Sequence, residues 1–336
     1  VTTTGTATPP TLSTGRRIAG VGLATASGVM VALQSRINGE LGVRLADGIA
    51  AAVVSFGLGL LILLVLVPAT RGGRRGLVAL RRALRAGTLR PWQCLGGVCG
   101  AFLVATQGLT IGALGVAVFT VAVVAGQSGS SLLVDRAGIG PTGRQPVTPN
   151  RLVGALLTVV AVVLAVGDRL GDPGALALAL LPLAAGVGIA WQQAVNGRVR
   201  AAAGSAVTAT LVNFAVGTVA LLATFAVEVA VRGRPAGGLP GEPWLYLGGP
   251  IGIVFIALAA ALVRFTGVLL LGLATIAGQI VGAVLLDVAL PTEASHPGVR
   301  TVLGAGLTLV AVLVAAFGGG KAGAPLNAFG RGGGPA

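Results

Sequence analysis

Leu33-Gln34-Ser35-Arg36-Ile37-Asn38-Gly39 and Trp191-Gln192-Gln193-Ala194-Val195-Asn196-Gly197 are the same stretch written twice. A constant offset of 158 carries Gly28 onto Gly186, Gln34 onto Gln192, Asn38 onto Asn196, Gly39 onto Gly197, Phe56 onto Phe214 and Gly59 onto Gly217 without a gap. Further on, at an offset of 152, Pro91-Trp92 falls on Pro243-Trp244, and Gly96, Gly97 and Gly100 fall on Gly248, Gly249 and Gly252. Gly126-Gln127 likewise falls on Gly278-Gln279, and Asp135 on Asp287. The change of six in offset is the extra length of a basic loop in the first half, so the chain is an internal duplication.

The composition says where such a duplication resides. With 54% hydrophobic and 10% charged residues and a mean hydropathy of +0.94, the chain lies far from soluble domains, in which roughly 25% of residues are charged. Its apolar runs are about 20 residues long, which selects membrane helices over the alternating strands of a barrel. Fifty-six glycines fit this class, because small residues let membrane helices approach closely. The net charge of +14 does not indicate a nucleic-acid partner: the arginines sit in short loops between apolar runs, where they set topology. Cys94 and Cys99 are five apart in one run, off a shared helical face, and read as inert core residues.

Ten apolar runs are expected, at about 17–36, 46–68, 91–109, 111–134, 151–167, 174–193, 206–230, 243–262, 266–289 and 299–317. They divide into a disordered tail (1–15), a first five-helix repeat (16–167), a second (168–317) and a disordered C-terminal tail (318–336). The N-terminal tail has no basic segment ahead of an apolar core and does not read as a signal peptide. With the N-terminus in the cytoplasm, inner segments hold 17 of the 23 basic residues and one acid, Asp135, while outer segments hold 6 basic and 8 acidic residues. Both termini are therefore expected in the cytoplasm. Five helices per half is an odd number, so the halves enter the membrane from opposite sides. The expected fold is an all-α integral membrane protein of ten transmembrane helices in two inverted five-helix repeats, an architecture that recurs among secondary transporters.

The loop carrying Arg71, Arg74, Arg75, Arg81, Arg82, Arg85 and Arg90 also places Leu77, Leu80 and Leu84 at helical spacing. A short amphipathic helix on anionic lipid and a solvated loop serving as a topology anchor both fit that pattern.

Polar side chains far from helix ends are functional candidates, since an unpaired polar group in hydrocarbon costs several kcal/mol. Gln127 and Gln279 each follow Ala-Gly well inside a run, as cavity ligands or as amides bonding across helices. Ser55 and its counterpart Asn213 would extend a polar cavity or bond a neighbouring carbonyl. Gln34, Asn38, Gln192 and Asn196 lie nearer the run ends, as gates or as helix C-caps, the latter in keeping with Asn-Gly at both places. Trp92 and Trp244 follow proline at helix starts and suit an interfacial aromatic belt. The small-xxx-small pairs Gly96/Gly100 and Gly248/Gly252 suit close crossings.

Asp135, Asp287 and Glu228 sit at expected helix ends and His296 in an outer loop, so no carboxylate for proton coupling is evident at depth. There is no phosphate-cradling loop with Lys-Ser/Thr, no metal-spaced His/Cys/acid cluster and no nucleophile set. No cofactor, metal or catalytic residue is expected, and an enzyme is disfavoured.

Gln-x-x-x-Asn-Gly at the end of each half's first helix, Ser/Asn-Phe-x-x-Gly in the second and Ala-Gly-Gln in the fourth resemble the drug/metabolite transporter superfamily. The likeness is to its bacterial two-repeat, ten-helix branch, long filed as a domain of unknown function, and covers nearly everything from Arg16 to Phe317. It implies a multi-pass carrier of the bacterial cytoplasmic membrane, with a central cavity that moves small metabolites or drug-like compounds. Some members are single five-helix chains that have to pair, so a homodimer is within what the resemblance implies. Small multidrug relatives carry an essential carboxylate in the first helix, whereas Ile18 to Ser35 holds no acid. That departure favours a neutral or zwitterionic cargo, a facilitator or an exchanger. The competing class is a non-transporting membrane scaffold or regulatory subunit.

Overall fold

The computed structural model describes residues 14–317 apart from 142, 145, 166, 168–172, 234, 236 and 292–297; within helices, the side chains of 14–18, 21, 175, 256–257, 259–273 and 316–317 lie outside the description. The expected tails and His296 therefore fall outside the described residues or their side chains. The described elements are helical: α1 (Thr14–Leu45), α2 (Gly48–Ala69), α3 (Arg71–Arg85), α4 (Gly96–Leu114), α5 (Val116–Ala137), α6 (Pro149–Ala165), α7 (Pro173–Ala203), α8 (Ala206–Arg232), α9 (Gly248–Ala289) and α10 (Val299–Phe317). Tight 3-10 turns at Pro91–Cys94 and Pro243–Tyr246 lead into α4 and α9. Among the described residues, five stretches are long and apolar enough to cross a bilayer: Gly48–Ala69, Pro91–Leu114, Val116–Ala137, Leu176–Ala203 and Ala206–Arg232. Pro149–Ala165 and Val299–Ala315 are shorter apolar helical stretches, and Ala274–Ala289 is the apolar end of α9.

Three elements differ from the sequence expectation. α1 and α7 extend to Leu45 and Ala203, well beyond the runs ending near 36 and 193, because backbone hydrogen bonding continues past the point where hydropathy falls. Asn38 and Asn196 are thus inside helices, which removes the C-cap reading of both. The runs at 243–262 and 266–289 belong to one helical element of 42 residues, α9. Its ends nevertheless lie along α1 in opposite senses. Gly248 and Gly252 face Asn38 and Gln34, whereas Thr25, Gly28 and Val29 face Gly278, Thr275 and Gly282. α9 is therefore not one straight rod. Its equivalent in the first half is the α4–α5 pair, which reverses at Gly115, where φ of 81° favours glycine.

The basic loop resolves into α3, a helix. Thr70 ends α2 and starts α3, its Oγ1 accepting the Gly73 N–H. The leucine stripe does not lie open to lipid: Leu80 is buried with Leu89, Val199, Ala203 and Ala209, Leu84 packs beside them, and Leu77 packs on the neighbouring cluster that holds Phe56 and Phe214. Repeat counterparts also start the second helix of each half. Asp47 accepts the N–H groups of Ile49 and Ala50 at α2, and Ser205 accepts that of Thr208 at α8, a normal use of such residues at N-caps.

The halves interleave. α1 packs on α9, α7 on α4 and α5, α2 on α8, and α6 on α10. The contacts are reciprocal. A Cβ on Gly28 would lie 2.0 Å from the Thr275 carbonyl oxygen and one on Gly186 2.1 Å from that of Val123. Gly217 lies under Phe56 and Gly59 under Phe214, and the two rings meet at 4.9 Å between centroids. Gly154 faces Ala311 and Ala315, while Gly304 faces Ala161 and Ala165. Without water to expel, such backbone approach is the main source of helix association in a bilayer.

Gly28→Ala is expected to force α1 off α9 and cost about 1–3 kcal/mol, read as a lower thermal unfolding midpoint of the purified protein in detergent. Gly22→Ala, with nothing within 4 Å of the added carbon, is the control and should leave the midpoint unchanged.

Candidate functional site

Two amide clusters, one for each repeat, flank the Phe56–Phe214 contact. In the first, Gln34 Nε2 donates to the Gly248 carbonyl at 2.8 Å, with Gly252 close beneath its amide. Asn38, fully buried, donates from Nδ2 to Gln107 Oε1 at 2.7 Å, and Gln107 Nε2 donates to Ser35 Oγ at 3.0 Å. Ser55 is buried beside Gly248. In the second cluster, Gln192 Nε2 and Asn196 Nδ2 both donate to Asn213 Oδ1 at 2.9 Å. Gly100 lies beneath the Gln192 amide and Gly96 beside that of Asn196. Asn38 Oδ1 and Gln192 Oε1 are buried with no hydrogen-bond partner among the described residues. Each amide therefore has acceptor capacity left.

Gln127 and Gln279 lie elsewhere. The Gln127 amide donates to Gln193 Oε1 at 3.2 Å at an exposed position, and Gln279 is half-buried with its backbone against Gly28. The structure thus joins Gln34, Asn38 and Ser55 around the start of α9, and Gln192, Asn196 and Asn213 around the start of α4. Gln127 and Gln279 stand apart from both groups.

Sequence reasoning missed Gln107. Its repeat counterpart is Ala259, so tracking the duplication passes over it, and it falls near the end of the run at 91–109 although the helix continues to Leu114. It also undervalued Asp287. Placed at a helix end, this residue is in fact 2% exposed, and its carboxylate accepts the N–H groups of Val116 at 2.9 Å and Ala117 at 2.7 Å. The repeat counterpart Asp135 is paired with Arg151 at 2.5 Å instead. Arg198 donates to the carbonyls of Gly138 and Ile139 just past α5, where a cation complements a helix C-terminus.

Trp92 and Trp244 lie in the 3-10 turns and are partly exposed, Trp92 stacking on Trp191 at 6.4 Å. Cys94 and Cys99 are free thiols. No group of three or more His, Cys, Asp or Glu side chains that could hold a metal ion occurs among the described residues.

The comparisons with known proteins match this paired organisation. The family model DMT_YdcZ, described as "Putative inner membrane exporter, YdcZ", matches residues 19–164 and again 177–314. The chain belongs to this family. Family membership makes it a membrane transporter and not an enzyme, a multi-pass protein of the inner membrane, and the two matched segments agree with the internal repeat. No curated protein matches it. A solved structure titled "Crystal structure of protein" is similar at a TM-score of 0.53 and 20% identity, covering 90% of this chain and 96% of its own. At that identity the likeness concerns the fold alone.

Removing the Gln107 amide orphans that of Asn38. Gln107→Leu is expected to destabilise by about 1–3 kcal/mol. Adding Asn38→Leu should cost less than the sum of the two single changes, a coupling that a double-mutant cycle of thermal unfolding in detergent measures.

Proposed function

We propose that this family member is a secondary transporter of a small metabolite or drug-like compound, working by alternating access between two inverted halves of five spans each. The observation that carries this reading is the reciprocal packing, in which the first helix of each half lies against the third and fourth of the other. Halves engaged in this way can exchange conformations, converting a site open to one side into a site open to the other. The opposite senses in which the two ends of α9 follow α1 support counting it as two of ten spans. The distribution of basic residues supports cytoplasmic termini, and the family description supports export.

Gln127 and Gln279 bind the cargo, their amides being the deep polar groups least committed to packing. Ser55 and Asn213 form polar walls, and Gln34, Asn38, Gln192 and Asn196 act as gates at the helix crossings. Because these groups are neutral, and α1 offers no acid from Ile18 to Ser35, the cargo is neutral or zwitterionic, recognised by hydrogen bonding. The outward face of α3 carries exposed Arg75, Arg81, Arg82 and Arg85 and rests on anionic lipid through charge alone, at about 1 kcal/mol per basic residue.

Hits from a thermal-shift screen of metabolite and drug libraries, which raise the unfolding midpoint by binding the folded state, supply substrates for flux assays in liposomes. Gln127→Leu with Gln279→Leu is expected to abolish that flux, with membrane insertion intact; undiminished flux would remove both residues from the site.

Changing Arg75, Arg81, Arg82 and Arg85 together to Gln is expected to weaken retention of anionic lipid through purification, while Arg74, which donates to the Pro68 carbonyl at 2.7 Å, is left in place. Native mass spectrometry would read this as fewer bound phosphatidylglycerol molecules.

A further inference from the structure

The repeat-related carboxylates Asp135 and Asp287 do different things in this conformation. Residue 287 is in the last turn of α9, 171 positions from Val116, yet its two oxygens serve the first two N–H groups of α5. Those donors need a partner from outside, because the helix cannot satisfy its own first turn and Gly115 contributes no side-chain cap. A carboxylate at a helix N-terminus is also favoured by the helix dipole, and here the contact is sealed: Val116, Ala117 and Asp287 are at most 2% exposed. The bond ties the α4–α5 reversal to the end of α9.

Asp135 occupies the same place in the last turn of α5. The offset of 152 assigns it the N–H groups of Val268 and Leu269, within α9. Instead it holds Arg151, with its side chain 35% exposed. One carboxylate is engaged across the halves and the other is parked on the neighbouring helix of its own half.

We propose that Asp287 and Asp135 are alternate latches of the transport cycle: Asp287 caps α5 and closes one face, and in the opposite state it lets go while α9 opens at Gly267, the repeat counterpart of Gly115, and Asp135 leaves Arg151 to cap the part of α9 that then starts at Val268 and Leu269 and close the other face. The inference rests on the alternating-access reading and names the residues that hold each state. Both act by positioning helices and touch no cargo.

The test uses the full chain in detergent, where both faces meet the reagent, with Cys94→Ser and Cys99→Ser and one reporter at a time. Val116→Cys reports on the face that Asp287 closes and Ala137→Cys on the other, each read as the rate of reaction with a charged maleimide. Asp287→Leu, which keeps the volume but accepts no hydrogen bond, is expected to raise labelling at 116 at least tenfold, because both charge-assisted bonds are lost, and to lower it severalfold at 137. Asp287→Asn, retaining one acceptor, falls between. Asp135→Leu is expected to move both reporters the other way or leave 116 protected. A rise at both reporters in Asp287→Leu marks a merely structural cap and overturns the proposal, as do reporters that do not move, or that move alike in the two Leu variants. Liposome flux by the unsubstituted chain is read separately: flux with unresponsive reporters sinks the latch alone, whereas no flux of any screened compound sinks the function beneath it.

Discussion

The structure depends on a pair of backbone contacts too close for any side chain. Gly28 lies against the Thr275 carbonyl and Gly186 against that of Val123, and around these points α1 lies along α9 and α7 along α4 and α5. In a bilayer, apolar side chains gain little by leaving lipid for one another, so helices are held by the fit of their backbones and by the few polar groups between them. The glycine approach supplies the first. It also brings Gln34 and Gln192 within reach of α9 and α4, because the glycines at 252 and 100 leave room for their amides. The polar clusters are thus a consequence of the packing, and each is assembled from both halves.

The amides are held with some capacity to spare. Gln34, Asn38, Gln107, Gln192, Asn196 and Asn213 meet one another or a carbonyl, which offsets the cost of placing them in an apolar medium. Neutral groups tolerate such an environment far better than charges do. Among the described residues, the buried carboxylate of Asp287 accepts two backbone N–H groups at a helix N-terminus.

Much of this was legible in the sequence. Hydropathy identified a membrane-embedded helical chain, and the offsets of 158 and 152 identified the repeats, the glycine faces and most of the amides. The ends of α1 and α7 were not legible, since Arg36, Arg44 and Arg198 lower the hydropathy of segments whose backbone hydrogen bonding goes on. Nor was the fate of α3's leucines: helical spacing shows that Leu77, Leu80 and Leu84 share a face, and only the fold shows that the face is covered by α7 and α8. Gln107 escaped notice because comparison of the halves reveals what is shared, and its counterpart is Ala259.

The sequence by itself determined the class of protein, the duplication and the residue types available at each equivalent position, because these depend on composition and local order. Tertiary structure alone decided which half packs on which and what each polar group meets. Asp135 and Asp287 make the point most clearly: identical in residue and in place within the repeat, one binds Arg151 sixteen residues away and the other caps a helix across the molecule. A repeat fixes the choices open to a side chain, but the partner it takes depends on which backbone donors the packing brings within about 3 Å.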